Sequence, residues 1–230
     1  YENYFGKTFS SFQYSTEMFL ILNSELVDGE EGRGQKKFVL DMINEFRRSD
    51  RRKHLFIVTH RLLWAIDNPP YDQILPYVNS PIAHSTDSFE FSRQIIPELE
   101  KLPNDKKVYF VGGDIGKDNS LTVFYGADAK ERMIFLATGI GDAGNDAILK
   151  VNVSSEQGIR VTPVSLTGLT MKPIEFYDLE YWASELGSSF DVKIQKANKM
   201  WNHLYFKRGL VIAFVGTCFL FVMLRWKRIL

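Results

Sequence analysis

Cysteine is almost absent from this chain. Of the 230 residues only Cys218 carries a thiol, and it lies inside an apolar run near the C-terminus. The rest of the chain therefore builds no disulfide, no thiolate zinc site and no cysteine nucleophile. A charge excess is absent too: Lys+Arg and Asp+Glu number 28 each, so the net charge is zero. A general nucleic-acid binder carries a basic surplus, so no nucleic acid is expected as a partner. No Walker phosphate loop, G-x-S-x-G elbow or H-E-x-x-H helix occurs. Nor is there an internal repeat, a low-complexity tract or a signal peptide. The sequence enters domain-like residues directly at Tyr1, which reads as a cut or processing point with sequence missing upstream.

What is present is an ordinary globular balance, 45% apolar and 24% charged, with 18 Phe that point to an aromatic-rich core. The longest apolar run is GLVIAFVGTCFLFVML, Gly209 to Leu224. As a helix it spans roughly 24 Å, against a hydrocarbon core of roughly 30 Å. Its flanks supply the difference. Trp201, Tyr205, Phe206 and Trp226 form an interfacial aromatic belt, and Lys207, Arg208, Arg225, Lys227 and Arg228 snorkel to headgroups. Residues 209–226 are therefore expected to cross a membrane once. A buried core helix is the alternative for a run this short. The basic tail places itself in the cytoplasm and the domain outside; a tail-anchored cytoplasmic domain is the second topology.

Hydrophobic spacing predicts the remaining elements. Phe9–Leu22 reads as a hairpin turning at Ser15-Thr16-Glu17. An acidic, glycine-containing loop, Asp28–Gly34, precedes a helix over Gln35–Arg48 with Phe38, Met42, Ile43 and Phe46 on one face. HLFIVT, His54–Thr59, and KVYFVG, Lys107–Gly112, read as buried strands. Between them lie a proline-rich loop, Asp67–His84, and a helix over Asp87–Leu102. Asp87 and Glu90 cap that helix, Phe91, Ile95, Leu99 and Leu102 form its apolar face, and Pro97 bends it. Further strands are expected at Leu121–Tyr125, Arg132–Ala137, Ala147–Val153 and Ile159–Leu166. Ile194, Ala197, Trp201 and Leu204 mark one face of a helix leading into the membrane.

Ligands of open α/β sheets bind beyond the carboxyl ends of the strands. Two such ends carry chemistry here. His60 follows the FIVT strand, and Asp114 follows FVGG. One imidazole and one carboxylate suit a hard or borderline divalent metal, and Gly112, Gly113 and Gly116 let backbone come close to a metal or phosphate. The plainer readings are a hydrogen-bonded structural His and an Asp closing a tight turn. His54, His84 and His203 are not expected to be ligands. Gly139-Ile140-Gly141-Asp142 reads as a turn.

At these residues the chain resembles the calcineurin-like metallophosphoesterases. FSSFQYSTEMFLILNSE, preceded by Phe5-Gly6, is similar to that family's FG-x-x-YYSFDYGN stretch leading into a strand that ends LDS. Gln35 and its helix resemble the Q-x-x-W-L helix. Thr59–Trp64, THRLLW, resembles THHPLW, whose first His, a metal ligand, corresponds to His60. The resemblance spans residues 4–153. It implies a metallophosphoesterase-like α/β fold, a β-sandwich flanked by helices, with a two-metal centre (Mn, Fe or Zn) that hydrolyses a phosphate ester by a metal-bound hydroxide. The earlier family motifs, D-x-H, G-D-x-x-D and G-N-H-[DE], would lie before Tyr1. Where the family has its final G-H-x-H, this chain has Gly113-Asp114-Ile115-Gly116. An Asp still binds a hard metal; a Gly side chain does not.

On this reading residues 1–170 are the C-terminal part of a phosphoesterase domain, 171–208 an amphipathic helical linker, 209–226 the transmembrane helix and 227–230 a basic tail. The implied function is a membrane-anchored phosphoesterase, with His60 and Asp114 as its metal ligands here. The alternative, favoured by Gly116, is a non-catalytic phosphoesterase-like module that binds a protein partner at the membrane.

Overall fold

Near-continuous apolar runs form the central strands, as expected for strands covered on both faces. The computed structural model describes residues 7–25, 30–66, 68, 71–79, 91–117, 122–140, 145–154 and 158–185. In it β2 (Glu17–Ile21), β3 (His54–Thr59), β4 (Lys107–Gly112) and β6 (Met133–Thr138) pair in parallel. β1 (Ser10–Tyr14) and β5 (Val123–Ala127) flank them antiparallel, giving a six-stranded sheet ordered β1-β2-β3-β4-β6-β5. β7 (Ala147–Ser154) and β8 (Gly158–Ser165) form a separate two-stranded sheet. The architecture is thus mixed α/β. The expected hairpin forms, and Ser15 takes a positive φ of 55° at its turn.

The helix after β2, α1, runs Glu30–Arg48, so it begins within the expected acidic loop. A helical glycine costs roughly 1 kcal/mol relative to alanine, so Gly32 and Gly34 locally favour a loop. Tertiary packing outweighs that cost: Gly32 is buried, and below it Gln35, Val39, Ile43 and Phe46 form a buried row. The next helical segment is a π turn, Phe91–Ile95, continuing into α2, Ile96–Glu100. Pro97 has no N–H to donate back to Arg93, and the wider turn accommodates that gap. Phe91, Ile95, Leu99 and Leu102 are buried as their spacing requires. Asp87 and Glu90 lie outside the described residues. Within the proline-rich segment Tyr71–Tyr77 is a 3₁₀ run burying Tyr71, Ile74 and Tyr77. Their spacing of three matches three residues per turn.

One face of the large sheet carries Phe110 and Phe135, stacked at 5.0 Å, with Phe91 edge-on to Phe110 at 5.8 Å. Trp64 joins this layer, 5.2 Å from Phe135 and 5.6 Å from Phe124. On the other face Phe56, Tyr109, Ile134 and Leu136 form a cluster with Ala147 of β7, Ile174 and Tyr177.

Residues 171–185, expected as linker, belong to the folded unit that ends at Glu185. They protect an edge. β5 borders the sheet, and its outward Tyr125 N–H donates to the Tyr177 carbonyl at 2.9 Å. The Val123 carbonyl accepts from Trp182 Nε1 at 2.8 Å. Trp182 sits on the short helix α3, Leu179–Glu185, and is 2% exposed. An uncovered edge invites foreign pairing, which is the physical reason for this strap. No helix among the described residues is long and apolar enough to cross a membrane, and the run 209–226 lies outside them. So does the amphipathic face Ile194–Leu204.

Trp182→Ala is therefore expected to destabilise the domain by about 3–5 kcal/mol, as a core exchange does and a linker exchange does not. Urea unfolding checks it. A change below about 0.5 kcal/mol, the range of ordinary surface substitutions, would restore the boundary at 171.

Candidate functional site

The candidate site lies at the carboxyl ends of β2, β3 and β4. Thr59 is in register with Gly112, and the ladder runs one residue further, with the Gly113 N–H donating to the His60 carbonyl at 3.0 Å. His60 and Asp114 therefore leave neighbouring strands at the same height. Their side chains meet: His60 Nε2 lies 3.8 Å from Asp114 Oδ1. The imidazole is 57% exposed and the carboxylate 1% exposed. Two donors about 2.1 Å from one shared ion stand at most about 4.2 Å apart. The pair thus fits one divalent cation by distance and by donor type, nitrogen and oxygen. It supplies two positions of a coordination shell; among the described residues no cluster of three or more His, Cys, Asp or Glu forms around an ion-sized space.

The surrounding chain fixes both donors. Thr59 Oγ1 donates to the Arg61 carbonyl at 2.6 Å, closing a turn around His60. The Arg61 N–H donates to Ser24 Oγ at 3.0 Å, and the Arg61 guanidinium is held by both oxygens of Glu25. The end of β2 is clamped in turn. Gln35 Oε1 accepts from the Asn23 N–H at 2.8 Å and Gln35 Nε2 donates to the Asn23 carbonyl at 2.9 Å. Beside Asp114, Asn79 donates its backbone N–H to the Asp114 carbonyl at 3.2 Å and its Nδ2 to the Ile115 carbonyl at 3.0 Å. Gly116 turns the chain at a φ of 104°. Gly139, at the end of β6, passes so close that a Cβ there would lie 1.8 Å from the Ile115 carbonyl oxygen.

The sequence names His60 and Asp114, which the structure brings within 3.8 Å, but not Asn79, Ser24 or Glu25 around them. Asn79 sits in a proline-rich stretch with no periodic signal. Ser24 and Glu25 act only through the spatial neighbour Arg61. Gly139, expected in a turn, is required by a close backbone approach. His54 lies at the opposite end of β3, its Nδ1 3.3 Å from Glu17 Oε1. Burial pushes the Glu17 carboxyl up, but bonds from Thr16 and His54 outweigh it and hold the carboxyl below its usual range. His84 and His203 lie outside the described residues.

A recess of about 480 Å³ opens elsewhere, near the amino-terminal end of β4, lined by Tyr109, Tyr125, Lys107, Arg160, Glu131 and Glu175 among others. Burial pushes the Tyr109 phenol up to about 12 and raises Tyr125 as well. Both signs of charge line it and no histidine does, and it lies at the opposite strand ends from the His60–Asp114 edge.

Two glycine exchanges should separate a required glycine from a tolerated one. Gly139→Ala drives a Cβ into backbone and is expected to cost upwards of about 2 kcal/mol. Gly34→Ala, with nothing within 4 Å of its Cβ, should stabilise α1 by up to about 1 kcal/mol. Thermal unfolding of both variants reads the two signs. In comparison with known proteins, no family model, curated protein or solved structure matches this chain.

Proposed function

We propose that this chain carries the later motifs of a membrane-anchored, metal-dependent phosphoesterase, with His60 and Asp114 holding a divalent cation, Mn, Fe or Zn. The observation that carries the reading is the 3.8 Å approach of His60 Nε2 to Asp114 Oδ1 at the carboxyl edge of two parallel strands. In this reading the fold is a metallophosphoesterase-like β-sandwich, with the β7–β8 hairpin part of its second sheet. On the pattern of the family it resembles, the remaining donors would belong to the motifs D-x-H, G-D-x-x-D and G-N-H-[DE]. The run 209–226 anchors the protein, with the domain on the extracytoplasmic side and the basic tail in the cytoplasm.

The bound cation would supply Lewis acidity toward water and toward the phosphate oxygens. The protein's own part is geometric. His60 presents a ring nitrogen, 57% exposed, at the mouth of the site. Asp114 adds a buried carboxyl oxygen, the donor type that hard cations take. The bare backbone at Gly113 leaves room for a phosphate oxygen beside the imidazole. The turn bond from Thr59 and the two bonds from Asn79 keep both donors in place without side-chain rearrangement.

Gly116 supports the second reading, a non-catalytic module binding a protein partner at the membrane, because it removes one donor from the shell. Turnover separates the two. The protein at its native length, supplied with Mn²⁺, Zn²⁺ or Fe²⁺, should hydrolyse p-nitrophenyl phosphate or bis(p-nitrophenyl) phosphate, and His60→Ala should lower kcat/KM at least about 100-fold, some 2.7 kcal/mol of transition-state stabilisation. Turnover no higher than that of the His60→Ala variant with every metal and both esters would favour the module.

A further inference from the structure

The two edges of the six-stranded sheet are treated differently. β5 is covered by Tyr177 and Trp182. β1, at the other edge, is exposed at every position, SSFQY, and pairs on one side with β2. Proteins guard an open edge with charge, proline, a bulge or a covering segment. Ser10–Tyr14 contains no charge and no proline, and its register with β2 is unbroken.

The face of β1 is as telling as its edge. Phe12 stacks on Phe19 at 4.6 Å with planes 3° apart. Phe19 stacks on Phe56 at 4.7 Å, and Phe56 on Tyr109 at 4.8 Å. The rings form one ladder across four strands, each step matching the spacing of paired strands. Phe56 and Tyr109 are buried and Phe19 is partly buried, but Phe12, where the ladder stops, is 50% exposed. The opposite face of β1 is occupied. Ser11 Oγ bonds Met42 Sδ at 3.5 Å and Gln13 Nε2 bonds Glu45 at 3.4 Å, both on α1.

The hairpin register states which backbone groups are open. A two-residue turn is closed by a hydrogen-bonded pair, here Tyr14 with Glu17. Antiparallel pairs alternate, so Tyr14, Phe12 and Ser10 bond toward β2. Ser11 and Gln13 direct their N–H and C=O groups outward. The strand is therefore complementary to itself. An antiparallel copy centred on Phe12 sets Ser11 against the partner's Gln13 and Gln13 against the partner's Ser11, each exchanging both backbone bonds. Phe12 then faces the partner's Phe12 as a non-hydrogen-bonded pair, the closer of the two kinds, and the ring ladder continues across the axis.

We infer that β1 is a dimer edge at which two copies of this chain join their sheets across a twofold axis through Phe12. The inference is independent of the proposed activity. An isologous contact of this kind is closed, so it stops at a dimer and builds no fibre.

The register supplies the test. In the full chain in detergent micelles, with Cys218→Ser to remove the native thiol, Phe12→Cys should oxidise rapidly to a covalent dimer, because position 12 faces itself. Ser10→Cys, facing Tyr14 of the partner subunit, should cross-link at least about tenfold more slowly, since its thiols fall outside disulfide range. Without cysteine, Gln13→Pro removes an outward N–H and should shift the chain from dimer to monomer in sedimentation equilibrium while its thermal unfolding stays cooperative. A monomeric parent chain, equal cross-linking at positions 10 and 12, or a dimer that forms no bond at position 12 would overturn the assignment. The last outcome would move the contact to the apolar run near the C-terminus.

Discussion

Parallel pairing of β3 with β4 is the constraint on which the candidate site depends. In a parallel ladder both strands end at the same edge, so whatever follows each strand is brought together without any contact of its own. Here that pairing extends to Gly113, whose N–H reaches the His60 carbonyl. A slip of one residue would send Asp114 to the other side of the sheet. The apolar layers on both faces hold the register. Phe56 and Tyr109 stack on one side, and Phe110 and Phe135 on the other.

The supports around the site are polar, short-range and local to strand ends. Gln35 clamps β2, Ser24 holds the segment carrying His60, and Asn79 holds the one carrying Asp114. Such bonds contribute about 0.5–1.5 kcal/mol each, too little to define the fold, and they tie down the segments that carry the two donors. Burying the Asp114 carboxylate works against stability.

The central strands were legible as segments because buried parallel strands are unbroken apolar runs. HLFIVT and KVYFVG announce themselves, and the His and Asp after them follow by position. What stayed hidden depended on tertiary context. Gly32 and Gly34 read as loop because their helical cost is local while the compensating burial is not. Residues 171–185 read as linker because protection of β5 is a backbone affair: Tyr177 contributes a carbonyl and Trp182 an indole N–H, neither with a sequence period. Asn79 carried no signal, since its role is to bond a segment distant in sequence. Gly139 was visible as glycine, but the reason for it, the Ile115 carbonyl, is not written nearby.

The account's central claim is that His60 and Asp114 form one cation site. Elemental analysis of the purified, metal-loaded protein beside a His60→Ala, Asp114→Ala double variant tests it most directly, with unfolding measured to confirm that both are folded. Bound metal in the parent, reduced in the folded double variant, is the predicted result. Equal metal in both proteins, or none in either, would contradict it.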